Sequence, residues 1–353
     1  MSRFLSDGAA KIAPYVPGEQ PQDKSYIKLN TNECPYGPSL LVKDAIGRFQ
    51  ADSLRLYPDP DAGRLKEAAA RAYGLAPEQV FAAGGSDEAL AYAFMAFFDR
   101  GDPVAYPDIT YGFYRVYADL FRLESREIPL TEDYAIDIEA YRDVAGHLFI
   151  ANPNAPTGLL LPTDAIEALL RQNPDRLVVV DEAYIDFAEQ PSCVSLVEQY
   201  DNLLVVQTFS KSRALAGMRL GFAFGSAPLI EGLERIKYSF NPYNLDRLSI
   251  EVGIAALADR QYVETIAGRI RKTRDWTTKQ LESLGFQVLP SASNFLFARL
   301  PGREGAALYG ALKDRGILVR HFPKPRISEF LRITIGTDEE MRTLLQNVTE
   351  LLR

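Results

Sequence analysis

Residues 203–222 read LLVVQTFSKSRALAGMRLGF. The apolar run from Leu203 to Phe209 has the length and composition of a buried strand, yet it delivers Ser210 and Lys211 at its end and Arg219 eight positions later. A core strand has no place for unpaired cations. The carboxyl end of a strand in an open α/β sheet does, because ligands bind in the crevice there. The same rhythm, a short apolar strand followed by polar or glycine residues and then a helical pattern, recurs at 80–85, 148–151 and 177–180. These units predict an α/β layer with a mostly parallel central sheet. AGMRLGFAFGS supplies one further hairpin-like strand.

Downstream the pattern changes. A helical stretch is expected from about 259 to 284, followed by short strands at 295–299, 317–320 and 331–335. A last helix is opened by TDEE, where Thr337 and Glu340 fit a capping box. This predicts a smaller α+β C-terminal domain, as does a length of 353 residues, which exceeds what one hydrophobic core usually fills. At the other end, IAPYVPGEQP and NECPYGPS carry too many prolines for regular elements. The expected layout is an N-terminal arm over 1–40, a large domain over 41–245 and a small domain over 246–353.

A formal charge of -8 argues against a nucleic-acid or anionic-membrane surface and leaves small molecules as the partners. His147 and His321 are the only histidines, and Cys34 and Cys193 stand in neither CxxC nor CxxH spacing, so neither a metal site nor a disulfide framework is expected. No segment approaches the roughly 18 apolar residues of a membrane span or forms a secretory apolar region. The expectation is a cytoplasmic protein.

Lys211 and Asp181 stand at the ends of neighbouring apolar runs, in TFSKS and VVVDEAY. Singly, the ordinary reading of each is a solvated strand end. A phosphate loop of the form GxxxxGK[ST] is excluded, since no glycine precedes Lys211 in that stretch, and GxGxxG, GxSxG and HExxH are absent. A Schiff-base lysine remains. At its ordinary pKa of about 10.4, roughly one molecule in a few thousand would be free amine at neutral pH, so a nearby cation is needed; Arg219 is the expected one. In FAAGGSDEALAYAFMAFF, Gly84 and Gly85 allow a tight strand-to-helix turn, Ser86 is the expected N-cap, and the first amides of the helix form an anion cradle. Tyr111 or Tyr114 in YPDITYGFYRVY offers a flat aromatic face. An anion cradle, an acid, a lysine, an arginine and an aromatic describe a site for a ring bearing a phosphate and an aldehyde, as in pyridoxal phosphate.

LNTNECPYGPS, LYPDPDAGRLKEAAARAYG, AAGGSDEAL, NPNAPTG, VVVDEAYIDF, TFSKSRALAGMRLGF and LRITIGTDEEM occur in that order. With these motifs the chain resembles the fold-type I pyridoxal-phosphate enzymes, within them the class II aminotransferases, and among those the histidinol-phosphate aminotransferase family. The resemblance implies that Lys211 bonds the cofactor aldehyde and later carries a proton. It implies that Asp181 pairs with the pyridine nitrogen and Tyr184 holds the ring's phenolic oxygen. Gly85, Ser86, Asp87, Thr208, Ser210 and Arg219 would hold the phosphate, and Tyr111 would stack on the ring. Tyr57 would reach in from a partner subunit, which makes a homodimer with shared sites, the arm also packing on the partner.

Arg332 would receive the substrate's anionic group through a bidentate fork, with Arg320, Tyr15 and the NPYN segment at 241–244 as further phosphate contacts. Where the family usually has a second asparagine, this chain has Ala155, so that contact is missing or is taken over by Asn154. Cys34 likewise stands where asparagine is common. The implied reaction is the interconversion of histidinol phosphate and 2-oxoglutarate with imidazole acetol phosphate and glutamate, in histidine biosynthesis. An aromatic amino-acid aminotransferase and a threonine-phosphate decarboxylase share most of these motifs. A cofactor-sensing regulator would need a basic DNA-binding module, against the acidic charge.

Overall fold

In the computed structural model, which describes residues 2–353, the arm carries a short helix α1 (Asp7–Lys11) and a strand β1 (Ile27–Lys28). Neither proline-rich stretch, 12–21 or 32–39, carries a helix or strand, as expected; the two short elements lie outside them, and Pro14, Pro17 and Pro21 fall between. Ser6 caps α1, accepting from Ala9 N at 3.2 Å. Helices α2 (Leu40–Arg48) and α3 (Gly63–Tyr73) then lead into the main sheet.

That sheet has seven strands: β2 (Val80–Ala83), β3 (Pro103–Pro107), β4 (Glu124–Ile128), β5 (His147–Ala151), β6 (Val178–Asp181), β7 (Leu203–Thr208) and β8 (Gly221–Gly225). Their order is β2-β8-β7-β6-β5-β3-β4, with only β8 running antiparallel to its neighbours. Helices α4 (Ser86–Phe97), α5 (Phe113–Phe121) and α6 (Thr163–Gln172) connect strands, and α7 (Ala227–Phe240) and α8 (Arg247–Ala258) come after β8. Apart from the edge strand β4, the strands are largely apolar runs because both faces are covered. Val80, Leu148, Val178 and Val205 pack into one layer, while their neighbours Phe81, Phe149, Val179 and Leu204 pack into the other. This is the period-two split of a strand, and each such side chain, once buried, stabilises the fold by roughly 1.5–3 kcal/mol.

Ile250, Val252 and Ala256 of α8 belong to the first of these layers. α8 thus packs with the main sheet, and Asp259 both closes this helix and caps the next one. After it come α9 (Arg260–Ser283), β9 (Gln287–Val288), β10 (Phe295–Arg299), α10 (Gly305–Asp314), β11 (Ile317–Leu318), β12 (Arg320–His321), β13 (Phe330–Thr334) and α11 (Asp338–Leu351). The second sheet is antiparallel in the order β12-β13-β10-β9, and β11 pairs in parallel with β1 of the arm. The capping box of α11 forms, with Thr337 Oγ1 accepting from Glu340 N at 3.2 Å and Thr337 N donating to Glu340 Oε2 at 2.7 Å.

Pairing with β11 also fixes the chain just beyond β1. Leu29 accepts from Thr334 N at 2.9 Å, and Asn32 N donates to Thr334 Oγ1 at 3.0 Å. The segment 29–32 is thereby held against β13 of the C-terminal sheet.

Candidate active site

A cavity of about 570 Å³ lies over the carboxyl ends of β3, β5, β6 and β7, with arm residues such as Tyr15 and small-domain residues such as Arg320 and Arg332 closing it. Asp181, the last residue of β6, lines it. Its Oδ2 accepts from Tyr114 Oη at 3.0 Å and its Oδ1 from Ala183 N at 3.2 Å. Burial pushes its carboxyl up to about 7, and those two bonds oppose the rise. Glu182 is also buried, but its carboxylate accepts from Cys193 N at 2.7 Å and from Gln207 Nε2 at 2.9 Å. It fastens the segment around Cys193, and only Asp181 serves the cavity.

Lys211 lies just past β7. Its Nζ donates to Thr31 O at 3.3 Å and stands 5.8 Å from the centre of the Tyr184 ring. Loss of water, and after it the Arg332 guanidinium, bring its pKa down to about 8. Arg219, the expected cause, acts in the same direction but more weakly than either. At pH 7 such a lysine is free amine in roughly one molecule in ten, not one in thousands.

The anion cradle is built on Gly85. It has φ +96° and is itself the N-cap of α4, so Ser86 is the first helical residue and not the cap. A Cβ at Gly85 would lie 2.7 Å from Arg219 Nη2, and one at Gly221 would lie 2.5 Å from Gly85 C. Only bare backbone fits, and the first amides of α4 are left without intrahelical partners. Around that end, Thr208 Oγ1 donates to Ser210 Oγ at 2.9 Å, and both hydroxyls line the cavity with Ser86, Asp87 and Arg219. Asp87 orients two neighbours, accepting from Arg219 Nη2 at 3.3 Å and from Tyr111 Oη at 2.8 Å. The Tyr111 ring forms a wall, edge-on to Tyr114 at 5.7 Å and to Tyr15 at 6.3 Å.

At the far end, Arg332 lies between the rings of Phe295 and Phe322, and its Nη2 donates to Asn30 O at 2.9 Å. Its Nε is buried with no hydrogen-bond partner among the described residues. Arg320 lines the same space but donates to Val16 O at 2.8 Å and Pro17 O at 2.9 Å, holding the arm across the opening. Lys324 is a further cation on that wall.

Three consecutive arm residues join the site beyond those expected from the sequence. Asn30, Thr31 and Asn32 contact Arg332, Lys211 and Tyr184 respectively. Their signal in the sequence is the pair of asparagines in LNTNE, polar residues directly after an apolar strand. Tyr114, expected only as a ring to stack upon, holds Asp181 through its hydroxyl.

Some expected contacts are not made. Asn154 is buried behind the wall, its Nδ2 donating to Ile109 O at 2.9 Å and Thr157 Oγ1 at 3.0 Å and its Oδ1 accepting from Thr110 at 2.7 Å. With its amide fully used, it cannot take over for Ala155, which lines the cavity with a methyl group. The NPYN segment supports the cradle from beneath, Asn244 Nδ2 donating to Glu88 Oε2 at 2.9 Å. Tyr57 is 76% exposed, stacked on Tyr243 at 4.6 Å and outside this chain's own cavity.

The residues fit pyridoxal phosphate: a glycine-walled anion cradle, a buried acid, a lysine with lowered pKa and an aromatic wall converge on one space. Among the described residues no cluster of three or more His, Cys, Asp or Glu side chains is placed to hold a metal ion. The chain matches the family model for aminotransferase class I and II over residues 24–348. It is 52% identical to a histidinol-phosphate aminotransferase of Brachyspira hyodysenteriae over 353 residues, the whole of both chains. It is 55% identical to that of a Marinomonas species over 348 residues, 98% of each. The solved histidinol-phosphate aminotransferase of Sinorhizobium meliloti, in complex with pyridoxal-5'-phosphate, superposes with a TM-score of 0.90 at 25% identity, covering 100% of this chain and 98% of that one. The chain belongs to the histidinol-phosphate aminotransferase family, within the class I and II aminotransferases.

Proposed function

We propose that this enzyme transfers the amino group of L-histidinol phosphate to 2-oxoglutarate, yielding imidazole acetol phosphate and L-glutamate in histidine biosynthesis. The observation that carries the reading is Arg332, a guanidinium whose buried Nε has no partner among the described residues, beside the lysine of lowered pKa. A cation left in that state is matched to an anion brought by the substrate, and its planar fork suits both a phosphate ester and a carboxylate. Burial lowers its pKa from the ordinary arginine value, an electrostatic cost that an incoming anion offsets.

When bound, pyridoxal phosphate supplies an electron-withdrawing ring that stabilises negative charge on the carbon next to the transferred amine. The chain supplies the rest. The amides at Gly85, Ser86 and Asp87, the hydroxyls of Thr208 and Ser210, and Arg219 would hold the phosphate. Asp181, steadied by Tyr114, would keep a proton on the ring nitrogen, and Tyr184 would face the ring oxygen. Tyr111 would cover one face. Lys211 would bond the aldehyde and, once released, take the proton from the substrate carbon that bears the amine, as a general base whose pKa lies near the working pH. Arg332, with Arg320 and Tyr15 at the arm, would orient the substrate and keep water out.

A homodimer completes this reading. Leu40, Leu41, Ile46, Leu54, Leu56 and Tyr57 are all exposed apolar side chains on or just after α2, beside a groove of about 710 Å³ between α2 and α8. Such a face suits burial against a second copy, and Tyr57 on it would enter the partner's site. A cytoplasmic setting is supported by Cys34 and Cys193, both free thiols. Among the described residues no helix is long and apolar enough to cross a membrane.

The test is a single-turnover comparison of amino donors. Histidinol phosphate, phenylalanine, tyrosine and threonine phosphate are each mixed with cofactor-loaded enzyme, and the loss of the visible cofactor band is timed. Histidinol phosphate is expected to be the fastest. An aromatic amino acid reacting faster would reassign the substrate, and carbon dioxide release from threonine phosphate would reassign the reaction.

A further inference from the structure

Asn32 has φ +57°, the left-handed region that asparagine enters more readily than most residues, and is 1% exposed. All of its polar groups are used. Its N donates to Thr334 Oγ1 at 3.0 Å, its O accepts from Asn294 Nδ2 at 3.0 Å, its Oδ1 accepts from Thr334 Oγ1 at 2.9 Å, and its Nδ2 donates to Tyr184 Oη at 2.9 Å. This closed network decides which way the amide faces. Thr334 Oγ1 accepts from Asn32 N and gives its single proton to Asn32 Oδ1, which leaves Nδ2 towards Tyr184. Nδ2 can only donate. The Tyr184 oxygen therefore accepts along that line, and its own hydrogen must point elsewhere, on a side chain that lines the cavity.

We infer that Asn32 is a positioning residue that aims the Tyr184 hydroxyl proton into the cavity as a donor to an anionic oxygen, compensating for the donor absent at Ala155. The inference rests on the reading that Tyr184 faces the ring oxygen of the cofactor. Asn154 cannot fill that role, since both protons of its amide are used, and Ala155 has no side-chain donor to offer. Asn32 also ties three parts of the chain together: the arm, Thr334 of β13 and Tyr184 just past β6. Donation from Nδ2 polarises the Tyr184 hydroxyl and strengthens the bond it gives in turn.

The test is a pH titration of the visible absorbance of the cofactor-loaded protein, with thermal melting to confirm folding. Removing a donor from the ring oxygen leaves more negative charge there and favours the protonated nitrogen at Lys211, which moves the midpoint upward. Tyr184→Phe is expected to raise it by about one pH unit or more. Asn32→Gly, which deletes the side chain and tolerates the positive φ, should raise it part of the way, and should add nothing in a Tyr184→Phe background. Asn32→Asp, which offers Tyr184 an acceptor, should raise it at least as far as Tyr184→Phe. If Tyr184→Phe leaves the midpoint in place, the reading of Tyr184 falls and the inference with it. If Tyr184→Phe shifts the midpoint but neither Asn32 variant does, the inference alone falls. It falls equally if Asn32→Gly gives the same shift with and without the Tyr184 hydroxyl, because that is the mark of a merely structural role.

Discussion

At Asp181 two effects oppose each other, and the balance sets a pH dependence. Burial disfavours the carboxylate, the bonds from Tyr114 and Ala183 favour it, and the carboxyl ends at about 7. In the unfolded chain its pKa is about 3.9, so between about pH 4 and pH 7 the cofactor-free folded state holds a proton that the unfolded state has lost. Stability from this group is thus present at low pH and lost as pH rises through that window. Asp181→Asn should remove this part of the pH profile, leaving the cofactor-free variant more stable than wild type at pH 8 by roughly 2–4 kcal/mol. Urea unfolding at pH 5 and pH 8 checks it, and equal pH profiles for the two proteins would contradict it. The same substitution should reduce turnover by ~10²–10³-fold, since an amide cannot hold a proton on the ring nitrogen by charge. Lys211, Asp181 and Arg219 are legible as residues because each ends or comes shortly after an apolar run. Asn32 is not, because its meaning lies in contacts with Tyr184 and Thr334, 152 and 302 positions away.

Strands and helices show the same division. β6 and β7 open with unbroken apolar runs, VVV and LLVV, and can be read directly, as can the α11 capping box. β4 reads ESREI with Glu124, Arg126 and Glu127 exposed; an edge strand of charged residues carries no apolar period to read. α8 packs into a layer of the main sheet, which its sequence does not reveal, because its apolar content shows that it is buried but not against which layer. The cradle at the start of α4 depends on geometry more than composition. Gly85 serves through its φ of +96° and through the space its missing Cβ leaves to Arg219, and Ser86 imitates an N-cap that the backbone places one residue earlier.

On the scale of the whole molecule, the cavity is a junction. The main sheet brings Asp181, Lys211 and the cradle, the small domain brings Arg332, and residues 30–32 of the arm touch Lys211 and Tyr184 on one side and Arg332 on the other. The exposed apolar face around Leu40 and Tyr57 adds the expectation of a dimer in dilute solution. Sedimentation at micromolar concentration should show twice the chain mass, and a monomer with full turnover would contradict the shared site.

The most direct measurement follows the bond at Lys211 itself. Enzyme loaded with pyridoxal phosphate is reduced with borohydride, which fixes the bond between the aldehyde carbon and the lysine nitrogen, and its peptides are mapped by mass. The cofactor mass is predicted on Lys211. It should vanish when histidinol phosphate is added before the reductant, and return when 2-oxoglutarate is added next. Label on another lysine, or label on Lys211 that persists through an excess of histidinol phosphate, would contradict the account.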